Sequence, residues 1–157
     1  MTRVGLGFDA HAFDTDRPLI IGGVHVPGAP GLAGHSDADV LGHAVADALL
    51  GAAGLGDIGA RFPATDQFEG ANSLELLSEC MTAVRVAGWH LVNVDCTLIA
   101  EQPRLTPYRE QMIENLARSM ASSTKDISVK ATTTDGMGFT GRGEGIAAIA
   151  IVMIDGH

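Results

Sequence analysis

Hydrophobic positions along the chain follow two periods, which divide it into strands and helices. Apolar residues that alternate with others, or that run together over a short stretch, predict strands at about residues 2–13, 18–21, 24–26, 89–101, 127–134 and 145–155. Apolar residues three and four apart predict helices at about residues 37–53, 72–88 and 108–120. Three main helices among several strands predict an α+β sandwich, with the helices on one face of a mixed or antiparallel sheet.

The first predicted helix has an apolar stripe and a polar stripe. The apolar stripe consists of Val40, Leu41, Ala44, Val45, Ala48 and Leu49. Asp39, His43 and Asp47 are spaced by four and share another stripe, because residues four apart lie on the same side of a helix. His43 is therefore predicted to lie one turn from each of two carboxylates.

The last predicted strand, GIAAIAIVMID, is apolar on both of its alternating faces. A strand in a sheet with one open face does not require this pattern. Three interpretations remain: the second face packs against another subunit, it lines a ligand tunnel, or helices cover both faces.

Length and composition describe one domain, residues 1–157, with no visible linker. With 46% hydrophobic but only 4% aromatic residues, the core is expected to consist mainly of Ala, Val, Leu and Ile. No apolar run approaches the roughly 18 to 20 residues of a membrane span, and strand-like sequence from the N-terminus leaves no room for a signal peptide. We therefore expect a soluble cytoplasmic protein in which Cys80 and Cys96 are buried reduced thiols.

The formal net charge of −9 argues against nucleic-acid and anionic-membrane partners, which are bound through clustered Lys and Arg. A small phosphorylated ligand is still compatible with this charge. A metal ion, a few local cations and backbone amides can hold a phosphate within an acidic protein.

Three residues have the types and spacing of a metal site. Asp9 and His11, two apart on a strand, project from the same face, and His43 is the third candidate ligand. One carboxylate and two imidazoles leave a tetrahedral zinc ion one ligand short, as in catalytic zinc sites. A lone histidine is more often an ordinary surface or core residue, and His25, His90 and His157 are interpreted in that way.

Two polar loops are candidate ligand-binding segments. Residues 131–145 (ATTTDGMGFTGRGEG) combine threonine hydroxyls, Asp135, Arg142 and glycines, whose backbone amides can approach a phosphate. Residues 54–66 (GLGDIGARFPATD) carry Asp57 and Asp66, which can accept hydrogen bonds from substrate hydroxyls. The ordinary alternatives are a glycine-rich hairpin turn and carboxylates that cap turns.

Several of these segments together resemble one known family, the 2-C-methyl-D-erythritol 2,4-cyclodiphosphate synthases of the non-mevalonate isoprenoid pathway. The resemblance covers essentially the whole chain. It is carried by GFDAHAF (7–13), LIIGGVHVP (19–27), AGHSDADVLGHAVADALLGAAGLGDIGARFPATD (33–66), NVDCTLIAEQPRLTP (93–107) and VKATTTDGMGFTGRGEGIA (129–147). It implies a ferredoxin-like α+β subunit and a homotrimer with three active sites at subunit interfaces.

The resemblance also implies a reaction and roles for individual residues. The 2-phosphate of 4-diphosphocytidyl-2-C-methyl-D-erythritol 2-phosphate attacks the β-phosphorus, CMP leaves, and a cyclic diphosphate forms. Asp9, His11 and His43 become ligands of one Zn²⁺ per site, and His35 and Thr133 stabilise the transferring phosphoryl group. The other substrate-binding residues implied are Ser36, Asp57, Ile58, Gly59, Phe62, Pro63, Ala64, Thr65, Asp66, Ala100, Glu101, Gln102, Pro103, Arg104, Leu105, Thr106, Thr132, Thr134, Phe139 and Arg142.

A second metal ion, Mg²⁺ or Mn²⁺, is implied to bridge the diphosphate and to involve Asp135. The chain departs from the family pattern at this position, where Glu is usual, at Ala64, where Asp is usual, and at Arg104, which is often Lys. We further hypothesise that Asp47, one turn beyond His43, fixes the imidazole of His43.

Two other classes of function compete with the synthase. A zinc phosphohydrolase would use the open metal position to activate water. The resemblance implies that the segments AEQPRLTP and ATTTD together form the pocket for cytidine and diphosphate. A phosphohydrolase would not need such a pocket. A non-catalytic module that binds isoprenoid diphosphates or a metal is suggested by the apolar last strand.

Overall fold

The structure, a computed structural model, describes residues 1–156 and consists of strands and helices joined by short turns. Its strands are β1 (Thr2–Asp14), β2 (Leu19–Ile21), β3 (Val24–Val26), β4 (Gly31–Leu32), β5 (Trp89–Ile99), β6 (Ile127–Thr132) and β7 (Gly145–Gly156). Its α-helices are α1 (Val40–Ala53), α2 (Ile58–Arg61), α3 (Ser73–Val86), α4 (Arg109–Met120) and α5 (Gly138–Gly141). Single 3₁₀ turns lie at Asp66–Phe68, Thr106–Tyr108 and Thr124–Asp126.

The central sheet has five strands in the order β4-β1-β7-β5-β6, and β2 and β3 form a separate hairpin. β5 and β6 are parallel, because the chain returns through α4 between them, and the other neighbours are antiparallel. The predicted α+β class and mixed sheet are confirmed. The main elements run β1-α1-α3-β5-α4-β6-β7 and so depart from the β-α-β-β-α-β order of ferredoxin-like folds.

Helix α1 lies directly against β1, and two glycines permit this contact. A Cβ atom at Gly5 would lie 1.9 Å from the carbonyl oxygen of Ala48, and one at Gly7 would lie 1.9 Å from that of Ala44. Real Cβ atoms do not approach a backbone oxygen so closely. Glycine at these positions therefore brings the ligand-bearing part of α1 against the ligand-bearing part of β1.

The hydrophobic core fills the layer between the sheet and its helices. α1 packs on β1 and β7, α3 packs on α1 and β5, and α4 packs on β6. Alternate residues of β7 face this layer and are buried: Ile146, Ala148, Ala150, Val152 and Ile154. Small side chains on the strand and the helix let the two backbones approach, as the composition predicts.

The opposite face of the sheet remains largely uncovered. Val4, Leu6 and Phe8 of β1 are 61%, 65% and 53% exposed, and Ile151 of β7, which pairs with Leu6, is 44% exposed. The interpretation in which helices cover both faces of the last strand is therefore wrong. Apolar side chains exposed together on one sheet face are typical of an interaction surface.

Several observed boundaries differ from the predicted ones. α1 begins at Val40 and not near residue 37, since Asp39 is its N-cap and accepts hydrogen bonds from the amides of Leu41 and Gly42. β6 ends at Thr132 and not near 134. β4 was not predicted, and the loops predicted at 54–66 and 131–145 contain the single-turn helices α2 and α5.

Both cysteines are free and buried, as predicted, and burial raises the pKa of each thiol to about 12. Of the helices in residues 1–156, none combines the length and apolar character needed to cross a bilayer. The cytoplasmic location stays a prediction. The interpretation of His157 concerns a residue outside the described range.

Candidate metal centre and active site

Asp9, His11 and His43 meet at one point between β1 and α1. The Oδ2 atom of Asp9 lies 2.9 Å from Nε2 of His11 and 3.1 Å from Nδ1 of His43. One donor atom from each residue lies within 4.8 Å of the other two. The predicted cluster is therefore present as a spatial group, with His43 buried and the other two half-buried.

The three side chains influence one another electrostatically. Burial acts to raise the pKa of Asp9, but hydrogen bonds with His11 and His43 outweigh burial and lower it. The hydrogen bond with Asp9 in turn raises the pKa of His11, against the opposing effect of burial. The carboxylate is thus kept ionised, which is the form that ligates a cation.

The outer nitrogen of each imidazole is also engaged. Nδ1 of His11 lies 2.6 Å from the carbonyl oxygen of Ala33, so this nitrogen donates and Nε2 is left to face Asp9. Nε2 of His43 lies 3.1 Å from Oγ of Ser36, so Nδ1 faces the cluster. Such second contacts orient histidine ligands, and a carboxylate with two oriented imidazoles is a donor set suited to zinc.

Asp47 does not take the place that we hypothesised for it. Its Oδ1 atom accepts a hydrogen bond of 3.0 Å from the backbone amide of Ile58. The ring nitrogens of His43 contact Asp9 and Ser36 instead. Asp47 lies one turn further along α1 and therefore reaches the start of α2, which it anchors to α1.

A cavity of about 180 Å³ opens beside the metal cluster. Six of its lining residues are predicted substrate contacts, His35, Ser36, Ile58, Gly59, Phe62 and Ala64, and two of its lining residues are the metal candidates His11 and His43. Phe68 and Leu76 complete it and were not predicted. Their apolar side chains form a hydrophobic wall of the cavity. The sequence pattern of the loop at residues 54–66 did not predict this wall.

The neighbouring loop residues have structural contacts of their own. Asp57 caps α2 by accepting a 2.8 Å hydrogen bond from the amide of Ala60, which is the ordinary role of such a carboxylate. The carbonyl oxygen of Thr65 accepts from Nε2 of His35 at 2.6 Å. Pro63 and Asp66 are exposed on either side of Thr65.

Arg17 is a residue of this site that the sequence analysis missed. Its guanidinium donates to the carbonyl oxygens of Gly34 and Ser36, on the two sides of His35. A planar guanidinium can make both bonds at once, so Arg17 holds the His35 segment against the end of β1. Only the tertiary contact reveals this, because 17 or more residues separate the partners.

Asp39, predicted only as a member of the polar stripe of α1, makes contacts that the sequence does not indicate. This fully buried carboxylate accepts hydrogen bonds from the amides of Gly22 and Gly23 at 2.8 and 2.9 Å, and from Oγ of Ser73 at 2.7 Å, in addition to capping α1. Asp39 therefore ties the β2–β3 turn and the start of α3 to the start of α1. His43 lies on the first turn of that helix.

A second cavity, of about 160 Å³, lies at the ends of the parallel strands β5 and β6. Its lining consists of Ala100, Glu101, Pro103, Arg104, Leu105, Thr106, Ala131, Thr132 and Thr133. The amide of Ala100 donates to the carbonyl oxygen of Thr132 at 3.0 Å, which joins the two segments. The AEQPRLTP and ATTTD segments are thus adjacent, and this cavity shares no lining residue with the one beside the metal cluster.

Five residues implied for the substrate or the second metal do not line this cavity in the single chain: Gln102, Thr134, Asp135, Phe139 and Arg142. Phe139 and Arg142 lie beside residues 10–12 of β1, where Nε of Arg142 donates to Glu144 at 3.0 Å. Gln102 faces a different cavity, which it shares with Arg142.

The backbone amides of the turn after β6 are not all available to bind a phosphate. The backbone amides of Thr134 and Gly136 donate to Oε1 of Glu101 at 3.0 and 3.3 Å, so they are already occupied. The exposed Asp135 lies between them with a φ of 53°, and its Oδ1 atom lies 3.3 Å from the hydroxyl of Thr133. The side chains of Thr133 and Asp135 remain at the surface.

The fold and the clustered side chains define an α+β protein with one candidate metal site and two separate cavities. The family model described as the YgbB family matches residues 2–155. The chain belongs to the YgbB family.

Named relatives and solved structures agree with this assignment. The 2-C-methyl-D-erythritol 2,4-cyclodiphosphate synthase of Geobacillus thermodenitrificans is 55% identical over 155 residues, which cover 98% of this chain and 97% of the relative. The bifunctional IspDF of Campylobacter jejuni has a TM-score of 0.96 at 44% identity, covering 100% of this chain and 43% of that chain. IspF of Plasmodium falciparum in complex with CDP has a TM-score of 0.87 at 29% identity, covering 99% of this chain and 96% of that chain. The resemblance inferred from the motifs is confirmed.

Proposed function

We propose that this protein converts 4-diphosphocytidyl-2-C-methyl-D-erythritol 2-phosphate to 2-C-methyl-D-erythritol 2,4-cyclodiphosphate and CMP. One observation carries the proposal: the cluster of Asp9, His11 and His43 borders the cavity that contains His35. The chain in which this occurs is 55% identical to a 2-C-methyl-D-erythritol 2,4-cyclodiphosphate synthase. The reaction belongs to the non-mevalonate isoprenoid pathway, and the enzyme is a phosphorus–oxygen lyase.

The chemistry requires positioning more than covalent catalysis. An oxygen of the 2-phosphate attacks the β-phosphorus, the bond from that phosphorus to the bridging oxygen breaks, and CMP leaves with the bridging oxygen. A phosphate dianion needs no general base, so the protein has to bring the two ends together and stabilise the negative charge.

Three ligands suit the proposed zinc ion. Asp9, His11 and His43 would hold one Zn²⁺, which when bound supplies positive charge and an open coordination position for a phosphate oxygen. The supporting observation is the donor set, a carboxylate and two imidazoles with their outer nitrogens engaged. Asp135 is the proposed contact for the Mg²⁺ or Mn²⁺, and its exposed carboxylate is one methylene shorter than the family's usual Glu.

Residues of the two cavities divide the remaining work. His35 is oriented by Thr65 through Nε2, which leaves Nδ1 free for the substrate, and the hydroxyl of Ser36 lies beside His43. Thr133 presents its hydroxyl at the end of β6 and would donate to the transferring phosphoryl group. The segment Ala100–Thr106 would receive the cytidine, which is consistent with CDP in the complex of the Plasmodium falciparum relative.

We further propose that the working unit is a homotrimer with active sites between subunits. The exposed apolar face of β1 and β7 is available for packing against other copies. The separation of the two cavities within one chain also supports this proposal, because one substrate would have to reach both. A neighbouring copy that brings its second cavity to the first would complete the site.

Incubation with the diphosphocytidyl substrate and zinc and magnesium tests the function. We expect phosphorus NMR to show a cyclic diphosphate with one CMP released for each substrate consumed. Inorganic phosphate or an open-chain diphosphate would instead identify a phosphohydrolase. Binding without turnover would identify a non-catalytic module, and either result would overturn the synthase.

A further inference from the structure

Glu101 connects the two segments that line the second cavity. It follows β5 in the chain and is half-buried. Its Oε1 atom accepts hydrogen bonds from the amide of Thr134 at 3.0 Å and from the amide of Gly136 at 3.3 Å, and it lies 3.4 Å from the hydroxyl of Thr134. A single carboxylate oxygen thus accepts from two backbone amides of the turn after β6, while the hydroxyl of Thr134 donates to the carbonyl oxygen of Met137 at 2.6 Å.

The conformation of the turn at residues 133–136 requires hydrogen bonds from a residue outside the turn. Asp135, between the two donating amides, has a φ of 53°, in the left-handed region that residues with a side chain rarely adopt. Hydrogen bonds from both flanking amides to one side-chain oxygen of Glu101 hold this conformation. The same contacts leave the side chains of Thr133 and Asp135 at the surface.

We infer that Glu101 is a positioning residue for the diphosphate. It lines the second cavity, and through its Oε1 atom it fixes the turn at residues 133–136 against the nucleotide segment, so that Thr133 and Asp135 are in place before the ligand binds. This role goes beyond the substrate contact that the family resemblance implies for Glu101. The inference rests on the proposed function, because it assigns the second cavity to a nucleoside diphosphate.

Three substitutions separate the reach of the side chain from its charge. Glu101→Gln keeps an acceptor oxygen at the same reach without the charge, whereas Glu101→Asp keeps the charge one methylene short of the amides. Glu101→Ala removes both. Glu114→Ala, at an exposed position on α4, is the matched control.

The zinc-loaded proteins are titrated with CDP by calorimetry, and amide hydrogen exchange is followed at Thr134 and Gly136. We expect Glu101→Ala and Glu101→Asp to weaken CDP binding about tenfold and to accelerate exchange at both amides, as for loss of the two hydrogen bonds to the acceptor oxygen. Glu101→Gln should stay within about threefold of the parent and of Glu114→Ala, with both amides still protected.

Two results would overturn the inference. Unchanged CDP affinity in Glu101→Asp and Glu101→Ala would show that the turn needs no support. Loss of affinity in Glu101→Gln with retention in Glu101→Asp would show that the charge acts directly. If Glu101→Ala does not fold, the Gln and Asp variants still decide.

The failure of the proposed function is distinguishable from the failure of this inference. Phosphorus NMR of the parent protein judges the synthase reaction without any Glu101 variant. CDP affinity and amide exchange judge Glu101 whether or not the parent forms a cyclic product.

Discussion

Among single residues, His43 has the clearest consequence for the metal site. His43→Ala removes one of three ligands, but it trims a side chain at the edge of the core and leaves the Asp39 cap intact. We expect this variant to lose bound zinc and at least 100-fold in rate while it remains folded, since loss of a ligand weakens metal binding strongly.

Metal analysis, circular dichroism and the CMP-release assay check this expectation together. His25→Ala, which removes an exposed imidazole on β3, should retain zinc and rate. A folded and fully active His43→Ala protein without zinc would refute the site.

Arg17 affects the site through the backbone that it holds. Because its guanidinium bonds the carbonyl oxygens on both sides of His35, Arg17→Ala should release that segment and lower kcat at least tenfold, the size expected for charged hydrogen bonds. Zinc content should not change, because Arg17 is not a ligand.

Steady-state kinetics together with metal analysis distinguishes a loss of kcat from a loss of bound zinc. Arg17→Lys should recover little, since an ammonium group lacks the planar fork. Substitution of the exposed Arg109 by Ala serves as the control. A kcat equal to that of the control would show that His35 needs no support from Arg17.

At the scale of elements, the close packing of α1 on β1 determines where the ligands meet. A Cβ at Gly7 would collide with the carbonyl oxygen of Ala44, next to His43 in the chain. Gly7→Ala should therefore destabilise the protein by about 2 kcal/mol or more and weaken zinc binding, because the strand and helix have to separate.

Gly51→Ala provides the matched control on the same helix. Nothing lies within 4 Å of a Cβ at Gly51, so the change should stabilise the protein by about 0.5–1 kcal/mol through its helix propensity. Urea unfolding and zinc titration of both variants measure the difference. Equal stabilities would contradict the role given to the glycines of β1.

At the scale of the whole molecule, the uncovered sheet face is predicted to be the contact between copies. Leu6→Asp places a charge at the centre of the exposed apolar strand residues, where burial against another copy would be costly. We expect the parent protein to have three times the mass of one chain, and the variant to have a lower mass and to lose activity while keeping zinc.

Light scattering with size-exclusion chromatography measures these masses. Val86→Asp, at a position 85% exposed on α3, introduces the same charge on the helical side and should leave mass and activity unchanged. A monomeric but active parent protein would contradict the trimer. Equal masses for the parent and Leu6→Asp would place the contact elsewhere.

The sequence by itself determined the local structure and the chemistry of the metal cluster. Periods of two and of about 3.6 residues reflect the geometry of strands and helices, so the main elements and the common face of Asp9 and His11 follow from nearest neighbours in the chain. The residue types then make the cluster a candidate cation site. The family motifs, read as a whole, pointed to the cyclodiphosphate synthases.

Only the tertiary structure decided the contacts between distant segments. The packing of the layers determines that β7 lies between β1 and β5. It also determines the hydrogen bonds that Arg17 and Asp39 make to distant segments, and the hydrogen bond between Asp47 and Ile58. Glu101 occupies two amides that the sequence left free for phosphate, because parallel pairing of β5 and β6 brings residues 101 and 134–136 together. Local periodicity contains no information about these contacts between distant residues, since they form only when the strands of the sheet pair.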